Sequence, residues 1–495
     1  MKETFFFFSG VYLLGLSWSL LARSRLGTGF CVAAAYPLGL LIWALSSWAV
    51  GDARLSSLSG SVGPVWAGLV AAGGVAQFWV SRQKLSSHDY GILGFGTILF
   101  GLSLAAALRW DLSVWTYDSH VIVSLGRSIA YHEGIPPLLA PELTSRGMLQ
   151  AMLHGASLLV DQPYFYAAPP MLAVSFLMLF GTLGCRALEG PGRVSARTAC
   201  LVALTTVAMG SNYLMIVHYF YMHDNFAAAA FLFLFCACYW FAEQERESAW
   251  LAFAFLFLLA FTLNRVEAPI VAALLLLIAH SQSTLPSRTL NIWLSSYLIG
   301  VIAWYGVLLY YFGEGDFHLR VGPHVLNTGR ILAIQGGLAA CLVVGLAIRL
   351  PRFSGVRRHT GELLLGALGI AVVSALLLRP THMTESGLAM LVNLGDAAWG
   401  GTWYVLGLLS LLSLVLARPR FHQIFSLSAV ALISCIYLFS FARVPYMVRW
   451  GDSGHRMLLS AMPLLFFYLL ITYGPSTAGR RIGDSGASAE GFTEK

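Results

Sequence analysis

Charged residues are scarce in this chain. Asp, Glu, Lys and Arg make up 11% of its 495 residues, against about a quarter in a soluble domain. With 58% of the residues hydrophobic, an ordinary water-soluble globule is excluded and a lipid bilayer is the expected surrounding. The surplus of 30 Lys and Arg over 23 Asp and Glu is scattered singly between apolar runs, so nucleic acid is not an expected partner.

Several familiar motifs are also missing. The chain has no P-loop, no G-x-G-x-x-G, no H-E-x-x-H and no G-x-S-x-G in a suitable context, which argues against ATPase, dinucleotide, zinc-protease and hydrolase chemistry. Its seven cysteines all lie within apolar stretches, so neither a disulfide framework nor a zinc knuckle is predicted. The N-terminus lacks a net positive segment and an A-x-A site, which favours a first membrane helix over a signal peptide.

Long uncharged runs fill most of the chain. A spanning helix needs about 20 apolar residues, and the runs predict an all-α polytopic transmembrane bundle of about 13–15 spans. We divide the chain into N-terminal membrane helices (1–108), a long outer, periplasmic loop (109–169), a membrane helical core (170–473) and a disordered cytoplasmic tail (474–495).

The basic residues predict the orientation, because Lys and Arg are retained in short cytoplasmic loops. With the N-terminus outside, more than half of them fall in loops on the same side as the C-terminus. This threading predicts a multi-pass protein of the cell inner membrane with a cytoplasmic C-terminus. Most acidic residues and histidines then lie outside, together with 109–169, and we expect the chemistry there.

The first segment that could carry chemistry is WTYDSHVIVSLGRSIAYHEGIPPL, 115–138. Its apolar residues recur at helical spacing, which predicts a short amphipathic helix beginning near Asp118 and lying along the membrane surface. Asp118 is either a functional carboxylate or the N-cap of that helix. Tyr117 and His120 stand beside it.

A second segment, HYFYMHDNFAAAAFLFL, places His223, Asp224 and Asn225 in a short outer turn between two apolar helices. Polar groups at such a depth tend to be functional, although Asp224 and Asn225 could equally cap the next helix. His218 and His223 are too poorly spaced on a helix to predict a metal pair.

A third segment, LAFTLNRVEAPIVAAL, places Arg265 and Glu267 between two apolar halves. An ionisable pair there is a functional candidate. The alternative is a structural salt bridge that stabilises a broken helix.

A fourth segment, FARVPYMVRWGDSGHRMLLSAMPLLFF, places Arg449, His455 and Arg456 just before the last apolar run. The planar donors of arginine suit a phosphate or pyrophosphate at a membrane surface. A solvated loop of charges is the rival interpretation.

Glu314 and Asp316, in GEGDFHLR, have a spacing that can bind a divalent cation such as Mg or Mn through oxygen ligands. Two solvated acidic side chains are the alternative. No other cofactor is predicted.

Taken in order, these segments resemble the GT-C superfamily of membrane glycosyltransferases, which includes the protein mannosyltransferases and the aminoarabinose transferases. YDSHVIVSLGRSIAYHEGIPPL is similar to the first outer loop of that family, with Asp118 at the acidic position. HYFYMHDNFAAAAFLFL resembles its second acidic turn, with Asp224 at the matching position, and GDSGHRMLLSAMPLLFF resembles its late arginine-containing helix entry, with Arg456. The acidic loop here follows the fourth predicted helix and not the first.

The resemblance implies a GT-C-like fold and an inverting transfer from a polyprenyl-phosphate-linked sugar to a lipid, glycan or protein acceptor. Asp118 would act as the base, and Asp224 would orient the acceptor or hold a cation. The remaining implied roles are binding of the departing phosphate by Arg456, His455, Arg449 and Arg265, and support of the acceptor by Tyr117, His120, His223, Asn225 and Glu267. Two alternatives stay open: a transporter or flippase for a lipid-linked or amphipathic solute, and an O-antigen polymerase or ligase.

Overall fold

The computed structural model shows that this protein is built from helices. The described residues are 2–52, 73, 85–110, 117–131, 149–158, 167–192, 194–221, 224–265, 267–313, 328–415, 423–441, 445–448 and 453–474. Within these ranges the elements are α-helices and short 3-10 helices, without a strand. Helices satisfy their backbone hydrogen bonds internally, as an apolar chain in lipid must. The predicted all-α class is therefore confirmed for this part of the protein.

The helices are numbered here in chain order. The first half of the chain forms α1 (Lys2–Ser19), α2 (Arg23–Leu26), α3 (Thr28–Asp52), α4 (Ser87–Trp110), α5 (Tyr117–Tyr131), α6 (Leu149–Leu158), α7 (Ala168–Glu189), α8 (Ala196–Gly210), α9 (Tyr213–Phe220) and α10 (Asp224–Glu245). The second half forms α11 (Ser248–Asn264), α12 (Ala268–Gln282), α13 (Ser287–Gly313), α14 (Thr328–Ala347), α15 (Ser354–Leu378), α16 (Pro380–Leu394), α17 (Thr402–Val415), α18 (Gln423–Phe441), α19 (Ser453–Met457) and α20 (Met462–Tyr473).

Eight helical stretches of the described residues are long and apolar enough to cross a membrane. A ninth results if α8 and α9, which are bent by 75° where they meet, form one span. Four further apolar helices have only 10–17 residues, among them α11 and α12. The predicted 13–15 spans refer to the whole chain, and part of that prediction, near 65–80, lies outside the described residues. Among the described residues, several apolar runs form helices shorter than the about 20 residues that a span needs. The protein is a multi-pass helical membrane protein.

Helix α10 lies at the centre of the bundle. Its sequence, DNFAAAAFLFLFCACYWFAEQE, is apolar on all sides, which is typical of a helix surrounded by other helices, and all of its spanning window is buried. Phe233 makes edge-on contacts with Phe176 of α7 at 5.7 Å and with Phe467 of α20 at 5.2 Å between ring centroids. By contrast, only 11% of the window that contains α15 is buried, so that helix faces lipid.

The hairpin of α10 and α11 defines the two ends of the bundle. α10 runs from Asp224 to Glu245 and α11 returns antiparallel to Asn264, whose side-chain amide donates to the backbone oxygen of Asp224 at 2.6 Å. The start of α10 and the end of α11 therefore lie together, at what we call the site end.

The opposite end, here called the basic end, holds arginines that the sequence assigns to cytoplasmic loops. Arg186 at the end of α7 donates two hydrogen bonds of 2.6 Å to Glu245, and its guanidinium carbon lies 5.0 Å from the ring centroid of Trp250. Arg23 donates to Asp89 at 3.2 Å. These arginines are thus grouped away from Asp224, in agreement with the predicted threading, while the side that faces the cytoplasm stays a prediction.

Candidate functional site

An arginine and two carboxylates meet at the site end. Arg265 donates through Nη1 to Asp224 Oδ1 at 3.3 Å and through Nε to Glu267 Oε1 at 2.5 Å, and it also donates to the side-chain oxygen of Asn225. The side chains of Arg265, Asp224 and Glu267 are 11%, 8% and 10% exposed, so this group is almost withdrawn from solvent. We call Asp224, Asn225, Arg265 and Glu267 the acid–arginine cluster.

The break between α11 and α12 positions the cluster. Arg265 adopts an extended backbone conformation, φ −144° and ψ 144°, which ends α11. Pro269 stands in the first turn of α12, where a helix needs no N–H from that residue. Arg265 and Glu267 therefore fall in the gap between two short apolar helices, as predicted from the sequence. Their ion pair also fits the predicted structural salt bridge that stabilises a broken helix.

Glu267 has one oxygen that the cluster does not use. Its Oε2 is buried and has no hydrogen-bond partner among the described residues. A buried acceptor without a donor costs free energy unless water or a ligand supplies one. Such an oxygen suits a ligand that brings a hydroxyl group.

Two amides that the sequence analysis missed connect the cluster to the segment 109–169. Gln150 on α6 donates to the side-chain oxygen of Asn264 at 3.1 Å, and Asn264 in turn donates to the backbone of Asp224. Asn264 could have been singled out as a lone amide at the end of an apolar run. Gln150 could not have been singled out, because a glutamine is a common residue in an amphipathic helix such as LQAMLHGASL.

Asp118 lies at the start of α5, and α5 packs on α6. The predicted amphipathic helix is therefore present, with Ile122 and Leu125 buried. The side chains of Tyr117 and Asp118 lie outside the described part of the structure, and that of His120 is exposed. Since α6 contacts Asn264 through Gln150, α5 belongs to the site end.

A glycine and a histidine fit α5 closely to α6. A Cβ at Gly126 would come within 2.5 Å of the His154 ring, so only glycine permits this approach of the helices. Burial, with a smaller effect of the positive charge on Arg127, lowers the pKa of His154 to about 4. His154 is therefore a neutral packing residue at pH 7.

Arg456 reaches the turn before Asp224 from a distant part of the chain. Its Nη1 donates to the hydroxyl of Tyr221 at 3.2 Å. The side chain of Arg456 is partly buried on α19, at the entry to the last apolar helix. The structure thus brings Arg456, Asp224 and Arg265 to one end of the bundle, as the sequence predicted. The sequence analysis missed Tyr221, which has no signal beyond being one of several aromatic residues in that turn.

His455 is fully buried and is held by Trp399, whose indole N–H donates to its Nε2. Asn212, at the bend between α8 and α9, donates to the backbone oxygen of Trp399 at 2.9 Å and to Thr402 at 3.1 Å. Through Nε2, His455 therefore positions Trp399 and does not donate to a phosphate. Its predicted part in phosphate binding stays a prediction.

An apolar groove of about 650 Å³ runs between α8, α17 and α20. Gly400 and Thr402 mark one end of it and Tyr473 and Gly474 the other. Thr402 accepts the hydrogen bond from Asn212, so the first end lies beside Trp399 and His455. The groove thus connects the lipid-facing flank of the bundle with the site end.

The other predicted site residues cannot be placed. His223, Arg449, Glu314 and Asp316 lie outside the described residues, and the cation site at Glu314 and Asp316 stays a prediction. Among the residues that are described, no three His, Cys, Asp or Glu side chains are grouped to hold a metal ion.

Comparisons with known proteins identify no relative. No family model, curated protein or solved structure matches this chain. The resemblance to GT-C glycosyltransferases therefore rests on the residues quoted above, and the function has to be argued from the geometry of the site.

Proposed function

We propose that this protein is an integral membrane glycosyltransferase that moves a sugar from a polyprenyl-phosphate donor to an acceptor at the site end. The observation that carries the proposal is that Arg456 and the acid–arginine cluster lie at the same end of the bundle, where the α8–α17–α20 groove also begins. A polyprenyl phosphate combines a long apolar chain with an anion. An apolar groove that ends near an arginine matches both parts.

In the proposed reaction, Asp118 accepts the proton of the acceptor hydroxyl as its oxygen attacks the anomeric carbon. The bond between that carbon and the phosphate oxygen breaks, the configuration inverts, and polyprenyl phosphate leaves. A positioned base contributes about 10²–10⁴-fold to such a rate. Arg456 stabilises the charge that develops on the leaving phosphate. Arg265 is already paired with Asp224 and Glu267, so Arg456 is the better phosphate ligand of the two.

The proposal is tested with purified protein in membranes and a panel of radiolabelled polyprenyl-phosphate sugars, scored for polyprenyl phosphate release and for label transfer. Asp118→Asn should lose activity at normal expression. An amide caps a helix about as well as a carboxylate, so retained activity would assign Asp118 to capping. Arg456→Gln should also lose activity. The matched control is Arg109→Gln, because Arg109 is an exposed arginine at the site end of α4.

A transporter or flippase is the second candidate, favoured by one observation. The α8–α9 pair is broken by a 75° bend beside the groove, and broken helices are typical of transporters. Tight binding of polyprenyl-phosphate sugars without turnover of any of them would favour this function over transfer.

A further inference from the structure

Several arginines follow one another at the basic end of the bundle, where α14 ends and α15 begins. We call them the α14–α15 arginines: Arg349, Arg352, Arg357 and Arg358. Because α12 starts next to the break at the site end, its last turn, with His280, lies at the basic end. Arg349 donates to the backbone oxygen of His280, and the His280 ring donates through Nε2 to the backbone oxygen of Gly345 at 3.1 Å. These two contacts fix the end of α14 against α12.

Arg349 is a buried cation with one open nitrogen. The residue is 8% exposed. Its Nη2 donates to His280, and its Nε is buried without an acceptor among the described residues. Nη1 makes no hydrogen bond within that part of the chain and is not enclosed by it. A cation that is largely withdrawn from water costs free energy unless acceptors or an anion compensate it. Nη1 is therefore the atom through which an anion can reach Arg349.

The carboxylates in this region are engaged by other groups. Glu243, at the end of α10, is close enough for its charge to interact with that of Arg349, but both of its oxygens accept hydrogen bonds from the loop that follows α12. Glu362 on α15 pairs with His359 at 2.7 Å. Within the described ranges, none of the α14–α15 arginines forms an ion pair. Their positive charge is thus available to a ligand.

Arg357 lies on the face of α15 that packs on the last turn of α12. A Cβ at Gly361, one helical turn after Arg357, would come within 3.0 Å of the side chain of Gln282, and residues four apart share a helix face. The charges of Arg357 and Arg349 are close enough to repel each other. An anion placed between two such charges is attracted by both. The planar donors of arginine suit phosphate oxygens in particular.

The surface around these arginines is apolar and open. Val343 and Val344 on α14 are 66% and 44% exposed, and Leu350 and Val356 are 43% and 46% exposed. α15 faces lipid, since 11% of its spanning window is buried. A phospholipid beside α14 and α15 therefore places its chains on apolar side chains while its headgroup is level with the arginines. A soluble phosphate compound would use the arginines alone.

We propose that the α14–α15 arginines bind the phosphate of an anionic membrane phospholipid, with Arg349 and Arg357 as its ligands and its acyl chains along α14 and α15. Basic pockets between helices on the cytoplasmic side of a membrane typically bind such headgroups, and the threading predicts that the basic end faces that side. A zwitterionic phospholipid brings its own cation, so the arginines gain less from it. This site lies at the opposite end of the bundle from the acid–arginine cluster, and the inference does not depend on the proposed function.

Native mass spectrometry of the purified full-length protein measures this preference. The protein in lipid-free detergent is titrated with phosphatidylglycerol and, separately, with phosphatidylcholine of the same acyl chains. One arginine near an anionic lipid surface is equivalent to about fivefold in affinity, so two arginine ligands predict a preference of about 25-fold for phosphatidylglycerol. Equal affinities for the two lipids would overturn the inference.

Single substitutions locate the lipid. Arg357→Gln should lower the affinity for phosphatidylglycerol about fivefold and leave that for phosphatidylcholine unchanged. The matched control is Arg197→Gln, because Arg197 is an exposed arginine at the start of α8, a helix that packs on α7 and α20. Arg349→Gln should lower the affinity at least as much, and Arg357→Gln decides the test if loss of the contact with α12 prevents Arg349→Gln from folding. Equal affinities in Arg357→Gln and Arg197→Gln would overturn the inference.

Two further measurements separate a lipid from a soluble phosphate. Inorganic phosphate at the same concentration as the lipid should leave phosphatidylglycerol bound, because it makes no contact with the apolar surface. Displacement under these conditions would identify a site for a soluble anion and would overturn the inference. Phosphatidylglycerol with a diazirine in its acyl chain should label peptides of α14 and α15 in nanodiscs. Labelling confined to other helices would also overturn it.

Discussion

Arg265→Met tests how much the acid–arginine cluster contributes to the fold. The substitution removes the guanidinium that Asp224 and Glu267 share and keeps an unbranched side chain that adapts to irregular space. Both carboxylates are at most a tenth exposed, so each would lose its ion pair with Arg265 in a place that little solvent reaches. Removing one partner of a buried ion pair costs about 3–5 kcal/mol. The second carboxylate places the expected loss in the upper part of that range.

The assay is reversible unfolding in mixed micelles, which gives the free energy of unfolding of each variant. Combining Arg265→Met with Asp224→Asn and Glu267→Gln should recover most of the loss, because neutral groups of similar shape carry no buried charge. Arg109→Gln serves as the surface control and should stay within about 0.5 kcal/mol of wild type.

Two results would refute this reasoning. Wild-type stability of Arg265→Met would mean that water or another cation already compensates the carboxylates. No recovery in the triple variant would mean that the loss comes from packing and not from charge. The test bears on function as well, since a cluster that contributes little to stability is free to serve the reaction.

Three further predictions use the same unfolding assay, and the last of them also uses a binding assay. Gly15→Leu should lower the free energy of unfolding by at least about 1–3 kcal/mol, because a Cβ at Gly15 would overlap the backbone oxygen of Ala35 on α3. Gly94→Leu is the control, because a Cβ at Gly94 would meet nothing within 4 Å. Equal losses in the two variants would refute the contact. Burial lowers the pKa of His154 to about 4 in the folded protein, against about 6.5 in the unfolded chain. The free energy of unfolding should therefore be highest above about pH 6.5 and should fall as the pH falls toward 4. The same pH dependence in His154→Phe would contradict this. Arg186→Met should destabilise the basic end by about 3–5 kcal/mol without lowering polyprenyl-phosphate sugar binding, and weaker binding would show that the two ends are coupled.

The helices and the break at the site could be predicted from the sequence because both have local causes. Uncharged apolar runs form helices, and the helical spacing of apolar residues from Val121 onward predicts α5. Arg265, Glu267 and Pro269 interrupt one apolar run, so the break between α11 and α12 could be predicted as well. Which of the short apolar runs cross the membrane could not be predicted, because hydropathy does not reveal whether a short run crosses the layer or stops within it.

The contacts that assemble the site could not be predicted, because they join residues far apart in the chain. Tyr221 and Arg456, like Gln150 and Asn264, become neighbours only through the packing of several helices. Neither pair has a spacing that periodicity can detect. The role of His455 depends in the same way on Trp399, which lies 56 positions away in the sequence.

The two carboxylates of the acid–arginine cluster differ in the bonds that they already make. Asp224 is paired with Arg265, and its backbone receives Asn264, so it is committed to holding α10 against the break. Glu267 uses one oxygen for Arg265 and keeps the other unbonded among the described residues, which suits it to orient a hydroxyl. Both carboxylates are thus already engaged by Arg265. The base is better supplied by a carboxylate outside this ion pair, which is the role proposed for Asp118.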